Sequence, residues 1–207
     1  DLTRSRGLGD VYKRQTSTHL KDLSDKDMII EAVFEELDVK KGVFSQLNDI
    51  AKEGAVLASN TSYLDIDKIA SATDRVGDVI GLHFFSPANI MRLLEIVVPT
   101  NVKDDVVATG FQLAKILKKV PVRAGNCDGF IGNRVLENYA KAANYMMEDG
   151  TSPYDIDRAI VEFGYPMGPF QMFDLAGGDI GWADRKRKAA FRSVSYTHLT
   201  LPTTVRV

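Results

Sequence analysis

Short apolar runs alternate with polar turns and amphipathic stretches from about residue 27 to residue 124. The apolar runs predict buried strands, and apolar residues at a spacing of three and four predict helices between them. This alternation is typical of a parallel or mixed α/β sheet that helices cover. The predicted strands are Asp27–Val33, Val56–Ser59, Val79–His83, Leu93–Val98 and Pro121–Ala124, and the predicted helices are Glu36–Glu53, Ile66–Ala72 and one that begins at Asp104.

Beyond Gly125 the pattern becomes helical only. Phe130–Glu148 predicts a long amphipathic helix, and Ser152–Phe163 predicts a second helix with a proline in its first turn. The stretch Gly164–Pro169 predicts a break in regular structure. We therefore divide the chain at residues 124 and 125 into an α/β part and the start of an all-α part.

Three polar side chains lie at or near the ends of successive short apolar runs: Ser62, His83 and Glu95. In open α/β sheets the strand ends form the edge where ligands bind. A histidine beside a carboxylate suits general acid–base chemistry, because its pKa lies near neutrality and the partner fixes its tautomer. The pattern alone also allows a core histidine at His83, a helix cap at Ser62 and a local backbone contact at Asn133.

Five ordered motifs together resemble the L-3-hydroxyacyl-CoA dehydrogenases: SNTS, GLHFFSPA, LLEIV, CDGFIGNR and GYPMGPF. The run GLHFFSPANIMRLLEIV is most similar to the dehydrogenase part of multifunctional fatty-acid β-oxidation enzymes. The resemblance covers roughly Asp22 to Trp182. It implies the second half of a Rossmann-type dinucleotide-binding domain, followed by an all-α C-terminal dehydrogenase domain. It further implies NAD as cofactor, an acyl-CoA substrate, and a homodimer or β-oxidation complex formed through the helical domain.

The resemblance also implies a role for each site residue. His83 would act as the base, Glu95 would orient it, and Ser62 and Asn133 would hold the substrate. Without the resemblance, Glu35 and Lys40 would pass as an ordinary helix-start acid and a surface base. Ser86 departs from the asparagine that many relatives have there, which weakens its expected cofactor contact. The implied NAD contacts are Val33, Phe34, Glu35, Lys40, Ser62 and Ser86.

The two ends of the chain predict a non-natural origin. Codons exist under which Asp10–Gln15 is encoded by the reverse complement of the DNA for Ser193–Leu199. Sequencing adapters of the transposon type produce such inverted pairs, whereas two natural tails, the alternative, have no reason to. We therefore expect residues 1–15 and 193–207 to be adapter-derived, and the natural segment to be truncated at both ends. The early glycines Gly7 and Gly9 then lie outside the natural segment, and the GxGxxG turn that cradles pyrophosphate is missing.

Composition excludes several classes of protein. The chain has 26 basic and 28 acidic residues, and the excluded ends are mainly basic. The remaining residues therefore carry a net negative charge, which offers no electrostatic footprint for nucleic acid. The single cysteine, Cys127, excludes a disulfide framework and a cysteine-rich metal site, and we predict no metal. No apolar run reaches the length of a membrane span. We expect Arg185–Lys188 to form a solvated helix face, and a cytoplasmic, bacterial location, with an organellar origin left open.

Two alternatives to the dehydrogenase stay open. A related β-hydroxy-acid dehydrogenase would share the sheet but commonly uses a lysine as acid or base, which the HFFSPA motif and the following glutamate disfavour. The chain could also be an inactive gene fragment. Expressed alone, the 207 residues are expected to self-associate and to lack NADH-dependent reduction of acetoacetyl-CoA.

Overall fold

The computed structural model describes residues 15–189. The predictions made for the two ends of the chain therefore concern residues outside the described range, apart from Gln15. Among the residues that the structure describes, no helix is both long enough and apolar enough to cross a membrane.

A five-stranded mixed sheet forms the centre of the α/β part. Its strands lie in chain order, with β1, β2 and β3 parallel to one another, β4 antiparallel to β3, and β5 parallel to β4. The mixed-sheet prediction is thereby confirmed. The strands are β1 Met28–Glu31, β2 Val56–Ser59, β3 Val79–Phe84, β4 Leu93–Val98 and β5 Val120–Gly125.

Helices connect the strands and then continue alone after β5. Two 3-10 turns, Leu20–Leu23 and Val76–Asp78, precede β1 and β3. The helices are α1 Leu37–Ile50, α2 Ile66–Ala70, α3 Asp104–Ile116, α4 Gly132–Glu148, α5 Pro153–Glu162, α6 Pro169–Ala176 and α7 Gly178–Ala189.

The sheet buries apolar residues on both faces, as its continuous apolar strands predict. One face packs against α1 and α2, where Phe44 and Ile66 have no exposed surface. The other face packs against α3, where Val106 and Ala114 meet the strands. Burial on two faces fixes the strand registers, because a slip of one residue would turn every side chain to the wrong side.

Most predicted elements are confirmed, with β2 and β4 matching at both ends. The first strand ends at Glu31 rather than Val33, because the Glu31 carboxylate accepts a hydrogen bond from the Val33 N–H and turns the chain. Helix α4 begins at Gly132 rather than Phe130, because Phe130 has a positive φ of 46° that no helix interior accommodates. Helix α6 was not predicted, and of α7 only the helical face at Arg185–Lys188 was predicted.

The predicted solvated face at Arg185–Lys188 lies on a helix, but two of its four residues also make contacts within the protein. Arg187 and Lys188 both form ion pairs with Asp128 and Asp184, and both lie over the ring of Tyr63. The side chain of Lys188 is only 23% exposed. These pairs hold α7 against the turn between β5 and α4.

Candidate active site

A buried histidine–carboxylate pair lies on the two antiparallel strands of the sheet. His83 and Glu95 are directly opposite each other in the register of β3 and β4. The Nδ1 atom of His83 lies 2.6 Å from Oε2 of Glu95, and the two residues are 3% and 0% exposed. Because Nδ1 is held by the carboxylate, Nε2 is the ring nitrogen left for a substrate proton. Of the alternatives that the pattern left open, a core histidine bonded to backbone does not describe His83.

The other oxygen of Glu95 is held by the start of helix α4. Its Oε1 accepts hydrogen bonds from the backbone N–H groups of Ile131 and Gly132, at 2.9 and 2.8 Å. A helix N-terminus carries unpaired N–H groups and a partial positive charge, so it favours an ionised carboxylate. Burial raises the pKa of Glu95, but the bonds from His83, Gly132 and Ile131 outweigh burial and hold that pKa below its ordinary value. Glu95 therefore stays charged beside the imidazole.

Two aromatic rings flank the imidazole of His83. The ring centroid of Phe85 lies 4.4 Å away and that of Phe130 lies 5.5 Å away. Close approach at this point depends on Gly132, because a Cβ there would come within 2.7 Å of the Phe85 ring. Gly132, the second glycine of the GFIGN run, therefore lets the start of α4, the Phe85 ring and the dyad lie close together.

We expect Gly132→Ala to destabilise the chain by about 1–3 kcal/mol, because the added methyl must displace the Phe85 ring. Gly42→Ala is the matched control, since Gly42 is an exposed residue inside α1 with open space around it. That control should stabilise the chain by about 0.5–1 kcal/mol through helix propensity. Urea unfolding checks both values, and equal stabilisation by the two substitutions would contradict the close packing at Gly132.

Ser62 and Asn133 meet although 71 residues separate them. Asn133, in the first turn of α4, donates from Nδ2 to the Ser62 carbonyl at 3.1 Å. The local-backbone alternative for Asn133 is therefore wrong, and so is the cap at Ser62, because Asp65 caps α2. Since the carbonyl of Ser62 bonds Asn133 and its N–H donates to Glu35, the hydroxyl is the group left for a ligand.

Glu35 and Lys40 lie between the ends of β1 and β2. One oxygen of Glu35 accepts from the Thr61 hydroxyl at 2.5 Å and from the N–H groups of Ser62 and Tyr63. Lys40 has no exposed surface, and its ammonium lies 2.7 Å from Glu31 and 3.5 Å from Glu35. The interpretation of Lys40 as a surface base is wrong. Its predicted contact with NAD stays a prediction, and the structure shows its bonds to the two carboxylates.

The remaining predicted cofactor contacts lie on the surface. Phe34 is 81% exposed and Val33 is 40% exposed, directly after β1. Ser86, exposed after β3, is not linked by a described side-chain contact to the other predicted site residues. The structure thus brings Glu35 and Ser62 together, and leaves the cofactor roles of these three residues as predictions.

Sequence reasoning missed three polar residues that hold the site. Asn60 accepts a hydrogen bond from the N–H of Phe84, which fixes the end of β3 against the loop after β2. Thr61 bonds Glu35, and Glu31 is a buried carboxylate at the end of β1. For Asn60 and Thr61 the sequence does contain a signal, because Ser59–Ser62 are four consecutive polar residues at a strand end. It did not show which of them face the protein.

A mixed, helix-covered sheet with a histidine–carboxylate dyad near the carboxyl end of the parallel strand β3 fits the class of nicotinamide-dependent dehydrogenases. Two family models match the chain: 3-hydroxyacyl-CoA dehydrogenase, NAD binding domain, over residues 8–127, and the C-terminal domain of the same family over residues 129–205. The chain belongs to the 3-hydroxyacyl-CoA dehydrogenase family. The predicted resemblance, the fold class and NAD as the cofactor of the family domain are confirmed.

Known relatives agree with the family models. The chain is 49% identical to the peroxisomal bifunctional enzyme of Cavia porcellus over 174 residues, 84% of this chain and 24% of the relative. It is 43% identical to the glyoxysomal fatty acid beta-oxidation multifunctional protein MFP-a of Brassica napus, over 78% of this chain and 22% of the relative. The crystal structure of M. tuberculosis FadB2 superposes with a TM-score of 0.79 at 36% identity, over 87% of this chain and 65% of that one. The chain spans about a quarter of the length of the curated relatives it matches.

Proposed function

We propose that this chain is the dehydrogenase segment of a fatty-acid β-oxidation enzyme, and that the whole enzyme also carries an enoyl-CoA hydratase. The reaction is the NAD-dependent oxidation of (S)-3-hydroxyacyl-CoA to 3-oxoacyl-CoA. The observation that carries the proposal is the buried His83–Glu95 pair, 2.6 Å apart, with Ser62 and Asn133 joined beside it.

The described residues fit the nicotinamide half of the cofactor. The exposed Val33 and Phe34 and the hydroxyl of Ser62 lie after the ends of the parallel strands β1 and β2, where doubly wound sheets bind nucleotides. Glu35 accepts hydrogen bonds from Thr61 and Ser62, and so joins the loop after β1 to the loop after β2. When bound, NAD supplies the hydride acceptor.

His83 accepts the proton of the substrate C3 hydroxyl at Nε2 as the C–H bond breaks. Glu95 stabilises the imidazolium that forms, because its carboxylate is held ionised by His83 and by the N-terminus of α4. In the reverse direction the imidazolium returns the proton to the C3 oxygen. Positioned acid–base catalysis of this kind contributes about 10²–10⁴-fold to a rate.

Ser62 and Asn133 hold the acyl group in front of the imidazole. An asparagine amide has two N–H donors, and the bond to Ser62 uses one of them. The second N–H and the Ser62 hydroxyl can therefore donate to the C3 oxygen and the thioester carbonyl. The Asn133 amide and the backbone of Ser62 are hydrogen-bonded before substrate arrives, which lowers the cost of orienting it.

Further parts of the proposal concern the whole enzyme. The helical part exposes Phe163, Tyr154 and Val135 at 81%, 75% and 68%, which supports association through this part with a second copy or within a β-oxidation complex. The predicted division of the chain at residues 124 and 125 stays a prediction, as do the adapter-derived ends. The cytoplasmic location also stays a prediction, because the relatives are named as peroxisomal and glyoxysomal.

The test uses a full-length enzyme. This is either the natural parent protein or the Cavia porcellus enzyme in which the 174 matching residues of this chain replace its own. We expect this enzyme to reduce acetoacetyl-CoA with NADH, and the loss of NADH absorbance measures the rate. Free acetoacetate is the control substrate and should react far more slowly. Turnover of a free 3-oxo acid without turnover of the CoA thioester would overturn the proposal in favour of a β-hydroxy-acid dehydrogenase.

A further inference from the structure

A continuous series of buried and partly buried polar contacts begins at the end of β2 and ends on the loop that follows it, which carries Ser62. At one end, the Ser59 hydroxyl donates to Oε2 of Glu31 at 2.7 Å. The other oxygen of Glu31 accepts from the ammonium of Lys40 at 2.7 Å. Lys40 in turn lies 3.5 Å from Oε2 of Glu35, whose other oxygen accepts from Thr61 and Ser62. These contacts therefore form a closed ring, which starts and ends within residues 59–62.

The same ring holds the exposed edge after β1. The Val33 N–H donates to Oε1 of Glu31 at 2.5 Å, and the Val33 carbonyl accepts from Lys40 at 3.2 Å. Both backbone groups of Val33 are thus bound to the two buried charges. The residue that follows is Phe34, which is 81% exposed. One buried ion pair consequently sets the distance between the edge after β1 and the loop of Ser62.

Burial of these charges needs a reason other than stability. The side chains of Lys40 and Glu31 are 0% and 1% exposed, and the desolvation of two such ions costs several kcal/mol before their attraction repays it. Apolar residues of similar volume would often give equal stability. What the ions supply is direction. The Lys40 ammonium donates to Glu31 and to the Val33 carbonyl and forms an ion pair with Glu35, and an apolar side chain would fix none of these three groups.

We propose that Glu31 and Lys40 are positioning residues, which act through Glu35 to hold the Ser62 loop and the Val33–Phe34 edge in register for the reaction. This inference rests on the proposed function. It assigns a role to Glu31, and it gives Lys40 a role through the two carboxylates that is separate from its predicted contact with NAD. Without Glu31, the Lys40 ammonium is free to move towards Glu35 and to draw that carboxylate away from Thr61 and Ser62.

The test compares Glu31→Gln with Glu36→Gln in the full-length enzyme. Glu36 is the matched control, because it is an exposed carboxylate at the start of α1 that makes no capping bond. We expect Glu31→Gln to lower kcat by about 10–100-fold, the usual cost of a misplaced reacting group, with KM for acetoacetyl-CoA changed by less than about 3-fold. Glu31→Asp, which keeps the charge, should recover part of kcat. Glu36→Gln should leave kcat unchanged.

Hydrogen exchange of the amides of Ser62 and Tyr63, read by mass spectrometry, gives a second result that does not depend on turnover. Both amides donate to Glu35, so Glu31→Gln should speed their exchange by about 10-fold relative to Glu36→Gln. If Glu31→Gln does not fold, Ser59→Ala replaces it, since it removes only one donor to Glu31. Ser59→Ala should then lower kcat by about 2–5-fold and speed the same exchange.

The outcomes separate the two proposals. An unmodified enzyme that does not reduce acetoacetyl-CoA overturns the proposed function, and the exchange rates alone then decide the positioning role. An active enzyme in which Glu31→Gln has the kcat and amide exchange of Glu36→Gln overturns only the positioning role. A loss of kcat with unchanged exchange at Ser62 and Tyr63 also overturns it, because the loop would not have moved.

Discussion

His83→Gln lowers kcat by about 10²–10⁴-fold in the full-length enzyme while leaving the Kd for NADH within about 2-fold of its original value. Glutamine fills part of the imidazole volume but cannot take a proton near neutral pH. The cofactor edge after β1 lies on other strands and is held by Glu31 and Glu35, so binding of NADH is preserved. Steady-state kinetics and fluorescence titration with NADH measure the two effects separately.

His19→Gln is the control for this substitution, because His19 is exposed and lies before β1. It should leave both kcat and the Kd for NADH unchanged. A His83→Gln enzyme with near-normal kcat would remove His83 from the chemistry. Equal losses of kcat and NADH affinity would instead indicate a folding defect.

Glu95→Gln is expected to lower kcat by about 10²-fold, because the imidazolium of His83 loses its charged partner. It should also change how the free energy of unfolding falls at acidic pH, which we call the acid limb. The pKa of Glu95 lies below the ordinary carboxyl value of 4.5, so its ionisation stabilises the folded protein above that pH, and this contribution is lost as the pH falls through the lowered pKa. The variant should therefore lose less stability than the original on acidification below about pH 4.5.

Urea unfolding at a series of pH values measures this difference, and Glu148→Gln serves as the control at the exposed far end of α4. The control should keep kcat and the original acid limb. Identical acid limbs for Glu95→Gln and the control would mean that Glu95 contributes nothing through its ionisation. Unchanged kcat in Glu95→Gln would show that His83 needs no charged partner.

The sequence predicts the dyad because each member lies in a short apolar strand. A lone polar residue inside a run such as Val79–Phe84 or Leu93–Val98 stands out against its neighbours. The antiparallel register that sets His83 opposite Glu95 could not be predicted in the same way. It depends on how β4 enters the sheet, which is a property of tertiary packing.

The polar contacts that hold the site were the hardest to predict. Lys40 and Lys41 are adjacent in the sequence and chemically identical, yet Lys40 is fully buried and Lys41 is not. Helical periodicity identifies the apolar face of α1, but it does not show that its first turn packs over a glutamate of β1. The contact of Asn133 with Ser62 likewise joins segments from the two parts of the chain. Such contacts depend on how elements distant in sequence are packed together.

Positive backbone angles explain the misplaced start of α4. Gly129 and Phe130 have φ values of 69° and 46°, which end the turn after β5 and aim the N–H groups of Ile131 and Gly132 at Glu95. The amphipathic pattern runs through Phe130 because this residue is itself buried in the core. Phe130 is therefore buried without being part of the helix. The hydrophobic pattern of the sequence cannot separate these two properties.

The most direct measurement of the central claim is a crystal structure of the full-length enzyme with NAD and acetoacetyl-CoA bound. We expect the C3 oxygen of the substrate to lie within hydrogen-bonding distance of Nε2 of His83, with Nδ1 still bonded to Glu95. The amide of Asn133 and the hydroxyl of Ser62 should contact the same acyl group. A C3 oxygen bound elsewhere, with Nε2 of His83 facing protein or solvent, would contradict the assignment of His83 as the base.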